Sequence, residues 1–265
     1  VSPARVPTAE QAAITTAFGT GWNLVIEAGA GAGKTSTLKM LAASAPRRKG
    51  LYVAYNRAIA DDAKRDFPAS AQCSTAHSLA YGAVGRLYRN RLNGPRVPAR
   101  ETARILGINE PLRLGDKTLA PNQLARLVME AVDRFCRSAD PEPGAYCVPR
   151  KPGMDSPEDM ADLREILLPL ARKAWADIAG SEGRLKFTHD AYLKIWQLSG
   201  PVLEADYILL DEAQDANPVI LDVVTRQKEA QLIAVGDRSQ AIYGWRGALD
   251  AMYSFPDEER LALSQ

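Results

Sequence analysis

Cysteine is scarce in this 265-residue chain: Cys73, Cys136 and Cys147 are an odd number, stand in unrelated contexts and lack C-x-x-C spacing. Neither a disulfide framework nor a zinc site is expected from them, and they read as buried or incidental thiols. Long apolar runs are missing too. Nothing approaches the roughly 18 uninterrupted apolar residues of a membrane span, and Val1-Ser2-Pro3-Ala4-Arg5 carries no hydrophobic signal-peptide core. The expected location is the cytoplasm, with the nucleoid, or the nucleus if the source is eukaryotic. Charge of one sign is also missing, because the net charge is +1, so overall charge does not argue for nucleic acid. Locally the balance differs: Arg86, Arg89, Arg91, Arg96, Arg100 and Arg104 lie close together with Glu101 as the only acid from Arg86 to Arg104. A solvated arginine-rich surface is the simpler reading of that run, and a basic face is the other. Repeats and low-complexity tracts are not apparent. What the chain does have is 46% hydrophobic content, enough for one large or two modest domains.

Short apolar runs alternate with helical patterns from Asn23 to about Tyr88: strand 23–27, helix 34–45, strand 50–54, helix 57–66, a short strand near Gln72 and a helix from Ala76. This alternation is the α/β signature. From about Arg89 to Lys186 the strands disappear. Leu124, Leu127, Val128, Ala131, Val132 and Phe135 share one helical face, and Leu163, Ile166, Leu167, Leu170 and Ala174 share another. Pro169 falls inside the second pattern and predicts a bend or a division there. The α/β rhythm returns after Thr188, with strand 206–211, helix 217–227, strand 231–235 and a last strand starting near Arg260. The pattern therefore predicts a discontinuous α/β domain with a parallel sheet, residues 1–88 and 187–265, interrupted by a helical insertion at 89–186.

The most specific run is Ala28-Gly29-Ala30-Gly31-Ala32-Gly33-Lys34-Thr35, followed by Ser36 at the head of a helix-forming stretch. It follows the apolar strand Leu24-Val25-Ile26, and the order strand, glycine-rich turn, helix is the context of a P-loop. Turn N–H groups converge on the β-phosphate of a nucleoside triphosphate, the helix N-terminus adds partial positive charge, Lys34 reaches the β/γ oxygens and Thr35 ligates Mg²⁺. One departure stands out: the first glycine of the usual pattern is Ala28. A second block, Tyr207-Ile208-Leu209-Leu210, runs as a buried strand into Asp211-Glu212-Ala213-Gln214-Asp215 and delivers carboxylates where open α/β sheets bind ligands. Asp211 would hold Mg²⁺ through water, and Glu212 would orient and deprotonate the water attacking the γ-phosphate. A third block, Leu232 to Ala248, begins as a strand and turns polar and aromatic. Gln240 has the length and amide chemistry to sense a γ-phosphate. Tyr243 and Trp245 beside Arg246 suit stacking on unpaired bases, with core aromatics as the alternative.

Taken together, these blocks resemble superfamily 1A DNA helicases of the UvrD/Rep/PcrA type. Thr8-Ala9-Glu10-Gln11 looks like the Q motif, which implies that Gln11 reads the adenine edge. The run from Ala28 to Thr35 is similar to motif I, Asp211 to Asp215 to motif II and Val235 to Ala248 to motif III. Leu51 to Ala60, with Tyr55 and Asn56, looks like motif Ia, and Thr75-Ala76-His77-Ser78 like the next DNA-contacting motif. The wording Tyr55-Asn56-Arg57-Ala58 is more similar to the F-box DNA helicase branch than to UvrD itself. Asn56 and Thr75 are equally readable as helix caps and His77 as a core or capping residue. Lys186 to Asp190 needs no more than a helix cap at Thr188 or Asp190.

The resemblance implies a RecA-like P-loop NTPase domain interrupted by a 1B-type insertion, ATP and Mg²⁺ as cofactors, and 3′-to-5′ movement on single-stranded DNA and 3′-tailed duplex. Motif IV would begin at Leu261 to Gln265, and the arginine and later motifs of a second RecA-like lobe do not follow. The chain is therefore expected to represent domains 1A and 1B of a longer helicase, poorly active alone. A nucleotide-dependent DNA-binding switch without unwinding and the motor of a helicase-nuclease are the competing readings.

Overall fold

The structure, a computed structural model, describes residues 6–29, 31–115, 117–237 and 258–264. In chain order the elements are α1 (Ala9–Thr20), β1 (Asn23–Ala28), α2 (Lys34–Ser44), β2 (Gly50–Ala54), α3 (Arg57–Asp66), β3 (Ala71–Thr75), α4 (Ala76–Ala83), α5 (Arg89–Leu92) and α6 (Ala99–Leu106). They continue with β4 (Leu112–Leu114), β5 (Lys117–Leu119), α7 (Pro121–Phe135), α8 (Pro157–Ala179), α9 (His189–Leu198), β6 (Tyr207–Leu210), α10 (Pro218–Thr225), β7 (Gln231–Gly236) and β8 (Glu258–Leu263). The chain forms two compact units, Val1–Leu79 with Gly200–Gln265, and Ala80–Ser199.

The first unit is built on a six-stranded sheet in the order β3-β2-β6-β7-β1-β8, with every pairing parallel. This is the parallel α/β sheet that the alternation predicts, in the RecA-like P-loop form that the resemblance implies. Central strands β2, β6 and β7 are buried along their whole length, as continuous apolar runs covered on both faces must be. The outer strands read differently: β3 mixes buried with more exposed residues, and β8 exposes Glu259 and Arg260, which discourages pairing with another chain. At the N-terminal end of the sheet Phe18 meets Tyr207 edge to face at 5.2 Å. The Arg48 guanidinium lies over both rings and donates to the Gln231 side chain at 2.9 Å. Full burial of a side chain such as Phe18 stabilises the unit by about 1.5–3 kcal/mol. Gly50 is required at its position, since a Cβ there would overlap the Tyr207 ring.

The second unit is helical, with α7 packed on both α6 and α8. Two expectations are corrected here. Strands do occur in this region: β4 and β5 pair antiparallel, Leu114 opposite Lys117, around a turn that starts at Gly115 with φ 54°. Leu-Gly-Asp-Lys is a two-residue hairpin signal, overlooked because each flanking strand has only three residues. Of the two outcomes expected at Pro169, a bend or a division, the division does not occur, because α8 runs as one element through it. The lost N–H and ring clash cost about 3 kcal/mol, and the burial of Leu163, Leu167, Ala171, Ala174 and Ile178 along one side offsets that.

The units meet at 79/80 and 199/200, outside the expected bounds of 88/89 and 186/187. The wider extent has a local cause in α9. Fully buried Lys194 donates to the carbonyls of Ser138 and Asp140 at 2.8 and 2.5 Å, and Gln197 donates to Ala139 at 3.1 Å. These bonds fasten α9 to the chain leaving α7.

Candidate active site

Because all six strands run the same way, their C-terminal ends line one edge of the sheet. That edge carries, in spatial order, Thr75 at the end of β3, Tyr55 and Asn56 after β2, Asp211 and Glu212 after β6, Asp237 after β7 and the glycine-rich turn after β1. Residues far apart in sequence are thereby gathered within one unit.

The turn after β1 behaves as a phosphate cradle should. Gly31 and Gly33 adopt φ of 77° and 80°, a region L side chains avoid, and Gly33 caps the N-terminus of α2. Ala28, the departure from the strict pattern, is the last residue of β1, is buried and has no positive φ. No glycine is needed there. Ala30 lies outside the described residues, Ser36 is exposed in the first turn of α2, and Thr35 is exposed beside it.

Lys34 donates to Glu212 Oε2 at 3.0 Å, with side chains only 13% and 29% exposed. Glu212 is the non-glycine residue with positive φ among those described, at 48°. This left-handed backbone costs of order 1–3 kcal/mol and is characteristic of functional sites. It turns the chain directly into a 3₁₀ turn, Ala213–Asp215. Asp211, 5% exposed, accepts from the Tyr52 hydroxyl at 2.6 Å and from the Glu212 N–H at 3.0 Å. Burial raises the Asp211 carboxyl above its ordinary pKa, and the Tyr52 hydrogen bond works against that rise. The same burial, with the carboxylate alongside, pushes the Tyr52 phenol well up, so it remains a donor.

The donor set fits a divalent ion that arrives with a nucleotide. Among the described residues no group of three His, Cys, Asp or Glu side chains could hold a metal by itself. A hydroxyl and one carboxylate, Thr35 and Asp211, are the sparse protein contribution typical of Mg²⁺ completed by phosphate oxygens and water.

Gln11 accepts from the Thr8 N–H at 3.1 Å and donates to Thr37 Oγ1 on α2 at 3.2 Å. Thr8 and Gln11 form a capping box at the head of α1, a T-x-x-Q signal present in the sequence and not used. Asn56 caps α3 by accepting from Ile59 N–H at 3.0 Å, and Thr75 accepts from Ser78 N–H at 3.1 Å. Both capping readings are thus realised. Tyr55 is 46% exposed, and His77 is half-buried. Gln240, Tyr243, Trp245 and Arg246 lie outside the described residues. Sequence reading missed Tyr52 and Gln214, whose roles depend on partners in other strands. In the arginine run, Arg91 turns inward to the carbonyls of Ile178, Gly180 and Leu185, whereas Arg86, Arg89, Arg96, Arg100 and Arg104 are exposed.

A family model described as an AAA domain matches residues 10–246. The chain is 33% identical over 261 residues to "F-box DNA helicase protein 1" of Schizosaccharomyces pombe, covering 91% of this chain and 29% of that protein. It is also 33% identical over 257 residues to "F-box DNA helicase 1" of Gallus gallus, covering 91% and 24%. The chain thus spans about a quarter of the length of the relatives it matches. A P-loop after β1, an acidic pair after β6 whose Glu212 is held by the P-loop lysine, and a family match along nearly the whole chain agree: the protein belongs to the AAA-domain P-loop family.

Proposed function

We propose that this chain is the nucleotide-binding and DNA-binding part of an ATP-dependent DNA helicase or translocase that moves 3′ to 5′ in repair or recombination. The observation that carries the reading is the Lys34–Glu212 contact at 3.0 Å, with Asp211 beside it on the same strand end. A phosphate-binding lysine, a metal carboxylate and a water-orienting carboxylate are the parts that phosphoryl transfer to water needs. Thr35 and Asp211 hold Mg²⁺, Glu212 orients and deprotonates the attacking water, and the turn from Gly29 to Gly33 cradles the phosphates. Gln11 meets the adenine edge and Gln240 responds to the γ-phosphate.

Tyr55, Asn56, Thr75 and His77, at the β2 and β3 ends of the same edge, contact single-stranded DNA or the tail of a 3′-tailed duplex. Tyr243, Trp245 and Arg246 supply a stacking platform. A second RecA-like lobe supplies the cation that completes hydrolysis, so the 265-residue chain alone turns ATP over slowly and unwinds nothing. An arginine finger is worth about 10³–10⁵ in rate in related systems.

Calorimetric titration with Mg-ATP tests the core of this reading. Lys34→Ala is expected to weaken binding by about 100-fold, or about 2.7 kcal/mol, with an unchanged circular dichroism spectrum. Equal affinity in the variant removes the P-loop assignment. In parallel, robust DNA-stimulated turnover by the isolated chain would overturn the need for a second lobe.

A further inference from the structure

We infer that Gln214 is a positioning residue that holds the Glu212 carboxylate for its work and ties it to the end of β7. The inference rests on the reading of Glu212 as the water-orienting carboxylate. Gln214 is 4% exposed, so its amide must find partners inside the protein. The Nε2 group donates to Glu212 Oε2 at 2.8 Å, the same oxygen that accepts from Lys34, and more distantly to Asp215 Oδ2 at 3.5 Å. The Oε1 atom accepts from the Asp237 backbone N–H at 3.1 Å. Carboxylates on one side and an N–H on the other fix the amide in this orientation, since the flipped amide would set oxygen against oxygen.

Only a side chain with a donor at one end and an acceptor at the other, at the length of Gln, satisfies both sites. The 3₁₀ turn after the left-handed Glu212 puts side chains 212 and 214 on the same side. When a triphosphate draws Lys34 away, Glu212 Oε2 loses its cation and keeps the Gln214 donor. Gln214 then sets where the carboxylate points, and any shift of Glu212 is passed to the Asp237 backbone, which follows β7 directly.

The test uses the full-length protein that carries this chain, with kcat and KM for ATP measured at saturating single-stranded DNA. Gln214→Met keeps the length and removes both hydrogen bonds. It is expected to lower kcat about 10- to 100-fold while KM stays within about twofold, because a small misplacement of a reacting group costs rate rather than binding. In a Glu212→Gln background the same change should add less than about threefold, since both substitutions act on one function. The Asp237 amide should also exchange with deuterium at least about tenfold faster in Gln214→Met.

Wild-type kcat in Gln214→Met, losses that multiply in the double variant, or unchanged exchange at Asp237 would each overturn the proposal. Wild-type kcat in Glu212→Gln overturns the Glu212 reading itself, and the role of Gln214 falls with it. Should Gln214→Met not fold, Gln214→Glu keeps a polar group of equal length but sets carboxylate against carboxylate. The same loss of kcat is then expected, and its absence counts against the inference.

Discussion

The two units place cations in their interiors and use them in opposite ways. In the helical unit the acceptors are backbone carbonyls: buried Lys194 holds Ser138 and Asp140 and lies 4.4 Å from the Phe135 ring centroid, and half-buried Lys186 holds Leu92 and Gly94. These carbonyls cannot leave, so the cations act as fasteners that close helix ends and loops. In the α/β unit the acceptor of Lys34 is another side chain, the Glu212 carboxylate, and an incoming phosphate can replace it. The lesson is that the kind of acceptor, rather than burial alone, separates a fastener from a working cation.

The sharpest way to break the comparison is Lys194→Ala, which empties a fully buried site and strands two carbonyls. It should destabilise the protein by about 3–5 kcal/mol while Mg-ATP affinity in the folded fraction stays unchanged. Urea denaturation followed by titration of the folded protein reads both. A cost under about 1 kcal/mol, the level of exposed contacts, would deny Lys194 its role.

Asp211→Asn tests the other side of the contrast. The folded pKa of Asp211 is raised, chiefly by burial, so its contribution to stability is favourable at low pH. That contribution is lost as pH rises from the ordinary carboxylate range through the raised value. Without metal or nucleotide at neutral pH, the Asn variant should melt about 2–4 °C higher, roughly the effect of 1 kcal/mol in a chain of this size. The gap should narrow as pH falls and the wild-type carboxyl takes up a proton. Thermal melts in chelator from neutral to acidic pH follow this, and a variant that melts lower throughout would count against a buried, costly carboxylate.

The smallest effect is expected at Arg104. It pairs with Glu101 at 2.6 Å on an exposed helix face, and Arg104→Ala should shift the denaturation midpoint by no more than the scatter between repeat measurements, since solvent screens the pair. A chemical-denaturation midpoint that moves further would mark Arg104 as something other than a solvated surface residue.

The α/β unit was legible because its strands are short apolar runs and its motifs are local. Lys34, Thr35, Asp211 and Glu212 were assigned by reading no more than eight neighbouring positions at a time. What escaped depends on distance. Tyr52 and Asp211 are separated by 159 positions, and nothing near either residue announces the bond. Gln214 stood in plain view inside Asp-Glu-Ala-Gln-Asp, but its task is set by Asp237 across a strand boundary. In the helical unit, the periodicity that located α7 and α8 also suggested a break at Pro169, because propensity is a local term and the burial that overrides it is not. Arg91 looked like one more member of a surface run. Its inward turn depends on carbonyls about ninety residues downstream.

The left-handed backbone at Glu212 has a consequence for how this sequence can drift or be redesigned. At φ 48° glycine or asparagine is the more comfortable occupant, so a search for thermal stability alone is drawn to replace the very residue that closes on Lys34. Stability and chemistry pull this position in opposite directions. Any consensus or stabilising redesign of the chain therefore has to hold Glu212 fixed by hand, because the folding free energy alone will not retain it.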